Sequence, residues 1–221
     1  MAEAGEAGRG GGPDERRLRA GLAAIEAKLA LVRRVEAEHG LGIVFEEPRE
    51  LDDLPGLPGG VVEVFRLFHR LGGDYFCFKQ PEIIRSARAW AAWPVNPECP
   101  LGDPLEIGYE RYGMPAELRE SIDGGAPIRL DVTDGSVYYV DPDDYIHMYK
   151  HVEVEEIHSE DFGDIVAFFD HHVLGEGYPE LVEAVLGAHA VTERDRKGRH
   201  RDSWMRLLSE SGLLGPGTPD W

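Results

Sequence analysis

Cysteine is scarce in this chain of 221 residues, which contains only Cys77 and Cys99. Two cysteines cannot build a disulfide framework, and these two lack the paired spacing of a zinc site. We therefore expect a reducing compartment, with Cys77 as a small apolar filler within a run of aromatic residues. No hydrophobic run is long enough to span a membrane, and residues 1–13 hold no apolar segment of the signal-peptide kind. These absences predict a cytoplasmic protein that does not bind membranes.

Motifs that carry catalysis are also missing. The sequence has no Gly-x-Ser-x-Gly elbow and no glycine-rich phosphate loop followed by Lys-Ser or Lys-Thr. Carboxylates are so numerous that two of them close in sequence do not indicate a glycosidase pair. We expect the protein not to be an enzyme and to use no cofactor. A hydrolase that no motif reveals is the remaining catalytic alternative.

Basic residues are outnumbered, with 23 Lys and Arg against 42 Asp and Glu and a formal net charge of −19. Such a charge repels phosphate backbones and anionic lipids, so the composition disfavours direct nucleic-acid binding. It attracts a basic protein instead, including one that itself binds nucleic acid. Plain solubility is the alternative explanation of the same composition. The 42% hydrophobic content predicts a folded chain.

Several segments have a clear secondary-structure pattern. Apolar residues at spacings of four and three predict an amphipathic N-terminal helix over about residues 14–39, and Gly40 ends it. Aromatic density, alternation and the Asp134-Gly135 turn predict strands in the middle of the chain. The predicted helices are 61–71, 81–93, 114–121, 161–174 and 200–214; the predicted strands are 74–79, 105–109, 128–132, 136–140 and 145–157; and residues 94–104 form a loop.

Helices at both ends with strands gathered between them predict an α+β fold. We expect a single domain with a central mixed or antiparallel sheet of about five or six strands flanked by helices. Residues 1–13 form a glycine-rich leader, residues 14–190 the domain, and residues 191–221 a basic linker with a C-terminal helix. The basic run at residues 194–201 is diluted by acids. It is typical of a helix-start linker, or of a partner for the acidic body of the same chain.

Histidines and aspartates invite a metal hypothesis that their spacing does not support. His147 and His151 lie in a predicted strand, where they would be about 13 Å apart. A helix would place His171 and His172 on different faces. The aspartates at positions 131–144 do not follow the register of a calcium-binding loop, and turn formation explains them better. We therefore expect no metal site.

Two segments resemble the SUKH superfamily, the Smi/Knr-like proteins. The first is Leu57-Pro58 with the apolar run that ends at Gly72-Gly73, which is similar to the early helix of that family. The second is Asp123-Gly124-Gly125 with the hairpin through Asp141, which is similar to its central strand pair. The phenylalanine-rich segment 162–173 stands where the family's closing helix falls. The resemblance spans about residues 43–175.

The resemblance implies a protein-binding scaffold without catalytic residues, of the kind found in fungal cell-wall regulators and in bacterial immunity proteins against polymorphic toxins. An acidic immunity protein would neutralise a basic, nuclease-type toxin by covering its cationic cleft. A regulatory or structural module that assembles through the N-terminal helix is the alternative, and the oligomeric state stays open. In either case we expect aromatic residues to anchor the partner and carboxylates to steer it. The candidate partner-binding residues are Tyr138, Tyr139, Asp141, Asp143, Asp144, Glu153, Glu155 and Glu156.

Overall fold

A seven-stranded antiparallel sheet organises the part of the chain that the computed structural model describes, residues 12–93, 104–115, 125–142 and 159–215. Each strand pairs with its neighbours in chain order, as a meander. The predicted α+β fold and antiparallel sheet are confirmed, with more strands than expected. The strands are β1 Val44–Glu46, β2 Arg70–Gly72, β3 Phe76–Lys79, β4 Pro104–Glu110, β5 Pro127–Asp131, β6 Ser136–Val140 and β7 Ser159–Asp164.

Helices precede, interrupt and follow this sheet. They are α1 Pro13–His39, α2 Val61–Phe65, a 3-10 helix Glu82–Arg85, α3 Ala87–Ala91, α4 Ile165–Ala167, a π-helix Phe168–Val173, α5 Tyr178–Leu186, α6 Ala188–Thr192 and α7 Ser203–Glu210. None of the helices in the described ranges is both long enough and apolar enough to cross a membrane.

The N-terminal helix is confirmed where the periodicity predicts it. Pro13 occupies the first turn, and Gly40 ends the helix in the left-handed conformation with φ of 60°. Its buried residues Ile25, Leu29 and Val32 fall four and three residues apart, so they share one face. That face packs against α4, the π-helix and α7. The apolar residues of the helix are therefore buried by contacts within the same chain.

Phenylalanine rings join the sheet to the helices. Phe78 of β3 lies 5.6 Å, between ring centroids, from both Phe168 and Phe169 of the π-helix. Phe162 of β7 lies 5.7 Å from Phe168. These contacts place the π-helix on the sheet face that carries Phe78 and Phe162. Because side chains alternate along a strand, the residues directly before and after Phe78 in β3, and directly before and after Phe162 in β7, point to the opposite face of the sheet.

The C-terminal helix α7 is part of the same core. Trp204 is 1% exposed, and its indole N–H donates to the carbonyl oxygen of Val173 at 2.8 Å. Gly73 permits this packing, because a Cβ there would lie 2.6 Å from the backbone nitrogen of Trp204. The helix spans Ser203–Glu210 and is shorter than the predicted helix 200–214. Asp202 caps its first turn, because its side chain accepts a hydrogen bond from Met205 N at 3.0 Å.

The predicted helix 61–71 is wrong in its second half. The helix ends at Phe65, and Leu71 lies in β2, where it pairs with Phe45 on one side and Phe78 on the other. A continuous apolar run fits a buried helix and a buried strand equally well, so its periodicity does not distinguish them. The pairing with two flanking strands decides for the strand.

The predicted helix 161–174 is also wrong at its start. Residues up to Asp164 belong to β7, because Asp161 pairs with Tyr138 and Asp164 pairs with Ser136 of β6. Asp164 then caps α4 by accepting a hydrogen bond from Ala167 N at 2.8 Å. The predicted helix 81–93 is interrupted by Ser86, which adopts an extended conformation and caps α3.

The remaining predictions are either confirmed or lie in residues that the structure does not describe. The strands over 74–79, 105–109, 128–132 and 136–140 are confirmed, within one or two residues at each end. The predicted leader 1–13, loop 94–104, helix 114–121 and strand 145–157 lie wholly or largely outside the described part of the chain.

Candidate functional site

Carboxylates hold the turn between β5 and β6 in shape. Asp131 accepts hydrogen bonds from the backbone N–H and the hydroxyl of Thr133, at 2.7 and 2.6 Å. Asp134 accepts from Ser136 N at 2.8 Å, and this bond keeps the pKa of Asp134 below its ordinary value. Gly135 follows with φ of 84°, a left-handed conformation that glycine adopts without strain. These aspartates therefore fix the hairpin through hydrogen bonds to its backbone, with Asp131 half-buried and Asp134 exposed.

The last strand, β7, continues the acidic surface. Asp161 accepts from Gly163 N at 2.6 Å, so it shapes the strand's end as well as carrying charge. The register of β7 against β6 sets Asp164 beside Ser136, which follows the β5–β6 turn directly. Turn, β6 and β7 therefore carry a series of carboxylates at this edge of the sheet, which we name the acidic edge; Glu160 and Asp161, neighbours in a strand, point to opposite faces of it. It consists of Asp131, Asp134, Asp141, Glu160, Asp161 and Asp164.

Cations are almost absent from the segments that build the acidic edge. Residues 125–142 and 159–164 contain six carboxylates and one arginine, Arg129. Arg129 lies in the middle of β5 opposite Tyr138, and it is only 5% exposed. Its charge is thus withdrawn from the surface, and the exposed charged residues of these two described segments are Asp134, Asp141, Asp161 and Asp164.

A cleft of about 690 Å³ opens at one end of the acidic edge, between α1 and the α4–π-helix segment. Asp14, Asp164 and Asp170 contribute carboxylates to its lining. Asp170 is paired with Lys28 at 2.7 Å, whereas Asp14 and Asp164 are exposed. Arg17 adds a guanidinium to the same lining, so the cleft has room for a side chain from another molecule and offers it two exposed carboxylates, Asp14 and Asp164, beside one cation.

The sequence-predicted site residues fall into three groups. Tyr138 and Tyr139 are 7% and 6% exposed, so neither can anchor a partner at the surface in this conformation. Burial, followed by the nearby charge of Asp141, raises the pKa of Tyr139 to about 12. Asp141 is exposed and belongs to the acidic edge. The others, Asp143, Asp144, Glu153, Glu155 and Glu156, lie outside the described residues.

Three carboxylates of the acidic edge were missed as site candidates. Glu160, Asp161 and Asp164 lie in or beside the stretch predicted as a helix, where they would point away from the β5–β6 turn. Gly163, two residues after Asp161, is the available signal, because glycine weakens a helix interior and is common at irregular strand ends.

The basic segment 194–201 pairs with its own acids. Asp195 accepts two hydrogen bonds from the Arg199 guanidinium, at 3.0 and 2.7 Å, and these bonds lower the pKa of Asp195 to about 2. Glu193 accepts from Arg201 at 2.6 Å. Two of the five cations of this segment are therefore paired with nearby acids.

A separate cluster contains His171, His172 and Glu180. One ligand atom from each side chain lies within 4.8 Å of those of the other two. The two imidazole ring centroids are 4.7 Å apart. The expectation that a helix would separate these histidines is therefore wrong, since both belong to the π-helix, whose Leu174 N–H donates to Phe169 O five residues earlier.

His172 is the more enclosed of the two histidines. Its ring lies 5.2 Å from that of Phe162, and its Nδ1 lies 3.3 Å from the carbonyl oxygen of Gly177. Burial lowers the pKa of His172 below its ordinary value, although the hydrogen bond to Gly177 opposes the shift.

No protein-family model, curated protein or solved structure matches this chain. Its own residues and their geometry therefore carry the functional argument.

Proposed function

We propose that this chain is a non-catalytic, acidic scaffold that binds a basic protein. The observation that supports the proposal is the acidic edge, whose segments carry six carboxylates and a single arginine, which is buried. Charge complementarity of this kind steers a partner of opposite sign and speeds its association. The binding surface is formed by backbone turns that the same carboxylates hold rigid, so little order has to be gained on binding.

The cleft beside α1 gives the partner a place to insert. A lysine or arginine side chain entering there would meet Asp14 and Asp164, both of which are exposed. A guanidinium would be the better fit, because it forms two parallel hydrogen bonds with a carboxylate. The proposed interface thus combines the negative electrostatic field along the acidic edge with one contact inside the cleft beside α1.

The partner we propose is a nuclease-type toxin, with this chain as its immunity protein in the cytoplasm. The resemblance of residues 43–175 to the SUKH superfamily supports this choice. A nuclease must hold a phosphate backbone, so its active cleft is cationic. An acidic edge that covers such a cleft excludes the nucleic acid without any chemistry of its own.

Assembly through the N-terminal helix is the less supported alternative. The apolar stripe of α1 packs against α4 and α7 within the chain, so it is not available to a second copy unless the helix detaches. We therefore do not propose an oligomer built on that stripe.

Titration calorimetry against a purified nuclease-type protein from a neighbouring gene tests the proposal, once such a gene is identified. The variant is Asp131→Asn, Asp134→Asn and Asp164→Asn together, because asparagine keeps the side-chain oxygen that accepts each backbone hydrogen bond. Each exposed ion pair is worth about 0.2–1 kcal/mol, so the triple variant should bind about 3- to 150-fold more weakly.

The matched control removes the same amount of charge at the other edge of the sheet. It carries Glu38→Gln, Glu47→Gln and Glu50→Gln, three exposed positions flanking β1, and it should bind as the wild type does. If both variants bound the partner equally weakly, the loss of affinity would follow from net charge alone, and this result would contradict an interface at the acidic edge. A neighbouring gene product without a basic surface would contradict the choice of partner.

A further inference from the structure

We propose that His171, His172 and Glu180 form a binding site for a divalent transition-metal ion of the zinc type. The site is independent of the acidic edge and of the binding function proposed above. It joins the end of the π-helix to the first turn of α5, two elements connected by the short Gly175–Gly177 turn.

The distance between the His171 and Glu180 side chains suits two ligands of one metal ion better than it suits a hydrogen bond between them. His171 Nε2 lies 4.0 Å from Glu180 Oε2, too far for a hydrogen bond. Ligand atoms about 2.0–2.2 Å from a tetrahedral zinc ion are about 3.4 Å from one another. The side chains of His171 and Glu180 are 45% and 72% exposed, so both can rotate by the small amount needed to close around an ion.

Gly177 is what allows the two imidazoles to converge. A Cβ at this position would lie 2.6 Å from His171 Nε2 and 2.9 Å from His172 Nδ1. A side chain at position 177 would therefore collide with both rings, and glycine leaves them the room to lie close to each other. The π-helix contributes the other half of the arrangement, since its wider turn brings neighbouring histidines together.

The orientation of His172 suits ligation. Its ring lies 5.2 Å from that of Phe162, and its Nδ1 lies 3.3 Å from the carbonyl oxygen of Gly177. In the tautomer that donates from Nδ1 to the Gly177 carbonyl oxygen, Nε2 keeps its lone pair. Such a backbone contact is the usual way in which a ligating histidine is oriented.

The donor set selects the class of metal. Two imidazole nitrogens and one carboxylate suit zinc, cobalt, nickel and copper, whereas calcium and magnesium prefer oxygen ligands throughout. Three protein ligands leave a fourth position for water or for a group from another molecule. The formal net charge of −19 also raises the concentration of cations around the chain.

Cobalt(II) and zinc binding to the tag-free full-length chain test the proposal. Cobalt should bind one equivalent with the visible absorption of a tetrahedral site, and zinc should displace it. His171→Ala and Glu180→Gln should each weaken zinc binding at least about tenfold, the smallest loss expected even for an outer-shell partner. Circular dichroism shows whether each variant is folded, and Glu180 is exposed enough to be replaced without unfolding.

Matched controls exclude adventitious binding elsewhere on an acidic chain. Glu183→Gln removes an exposed carboxylate one turn further along α5, and His39→Ala removes an exposed histidine at the end of α1. Both controls should bind zinc as the wild type does. The absence of stoichiometric binding would overturn the proposal, and so would equal affinity in the controls and in the two site variants.

Discussion

At the scale of single residues, Asp202 does more for the fold than any other carboxylate in the described part of the chain. It is 1% exposed and accepts four hydrogen bonds, from the backbone N–H groups of Asp74, Tyr75 and Met205 and from the hydroxyl of Tyr178. Each buried donor left without an acceptor costs about 1–3 kcal/mol. Asp202→Ala should therefore lower the free energy of unfolding by at least about 3 kcal/mol in urea denaturation.

Asp164→Ala is the control for that prediction, because Asp164 also caps a helix but does so at the surface. Loss of an exposed cap costs about 1 kcal/mol. Similar losses in the two variants would mean that Asp202 acts as an ordinary cap, and the account of it as a buried anchor would then be wrong.

Tyr139 gives the fold a dependence on alkaline pH. Its folded pKa is raised, mainly by burial, to about 12, whereas a tyrosine in the unfolded chain titrates at about 10. The unfolded state therefore releases its proton first, so stability is complete below pH 10 and falls as the pH rises towards 12. Tyr139→Phe should make the fall in urea midpoint over this range shallower without abolishing it, because the pKa values of Tyr75 and Tyr178 are raised too. A slope identical to that of the wild type would contradict this assignment.

At the scale of elements, the contact between the sheet and α7 depends on the missing side chain of Gly73. A Cβ there would lie 2.6 Å from Trp204 N and 2.7 Å from Trp204 Cβ, so the helix would have to move. Gly73→Ala should cost about 1–3 kcal/mol, as overpacking usually does. Gly59→Ala is the control, since the nearest atom to its added Cβ is 4.0 Å away. Equal stability of the two variants in thermal unfolding would contradict the close approach of α7.

The elements that the sequence predicts correctly are those with a local signal. The first helix has periodicity, a proline start and a glycine end, and the β5–β6 hairpin has alternation and an Asp-Gly turn. β2 and β7 carry no such signal. They are three and six residues long, and segments this short form strands only by pairing with the adjacent strands of the sheet. Leu71 illustrates this: its place is decided by Phe45 and Phe78, which lie on different strands.

The candidate sites depend on the same non-local pairing. Asp141 could be predicted as a surface carboxylate, but Asp161 and Asp164 join it only once β7 pairs with β6. The histidine cluster needs a π-helix, whose hydrogen bonds skip five residues and which has no recognised sequence pattern. The burial of both Tyr138 and Tyr139 could not be predicted either, because it requires both faces of β6 to be covered.

At the scale of the whole molecule, charge is unevenly distributed. The basic segment holds five lysines and arginines against one acid, and two of its arginines pair with Asp195 and Glu193. The segments of the acidic edge hold six carboxylates and one arginine, Arg129, which is 5% exposed. The chain therefore keeps a strongly negative surface at one end of its sheet, and this asymmetry is the central physical support for a basic partner.

The rate of association with a nuclease-type protein identified from a neighbouring gene tests that claim most directly. Stopped-flow measurements at ionic strengths of about 0.01 M and 1 M change the Debye length from about 30 Å to 3 Å. We predict fast, strongly salt-dependent association for the wild type and for the Glu38, Glu47 and Glu50 control, and slower, less salt-dependent association for the Asp131, Asp134 and Asp164 variant. Rates that are the same for all three proteins at both ionic strengths would contradict the account.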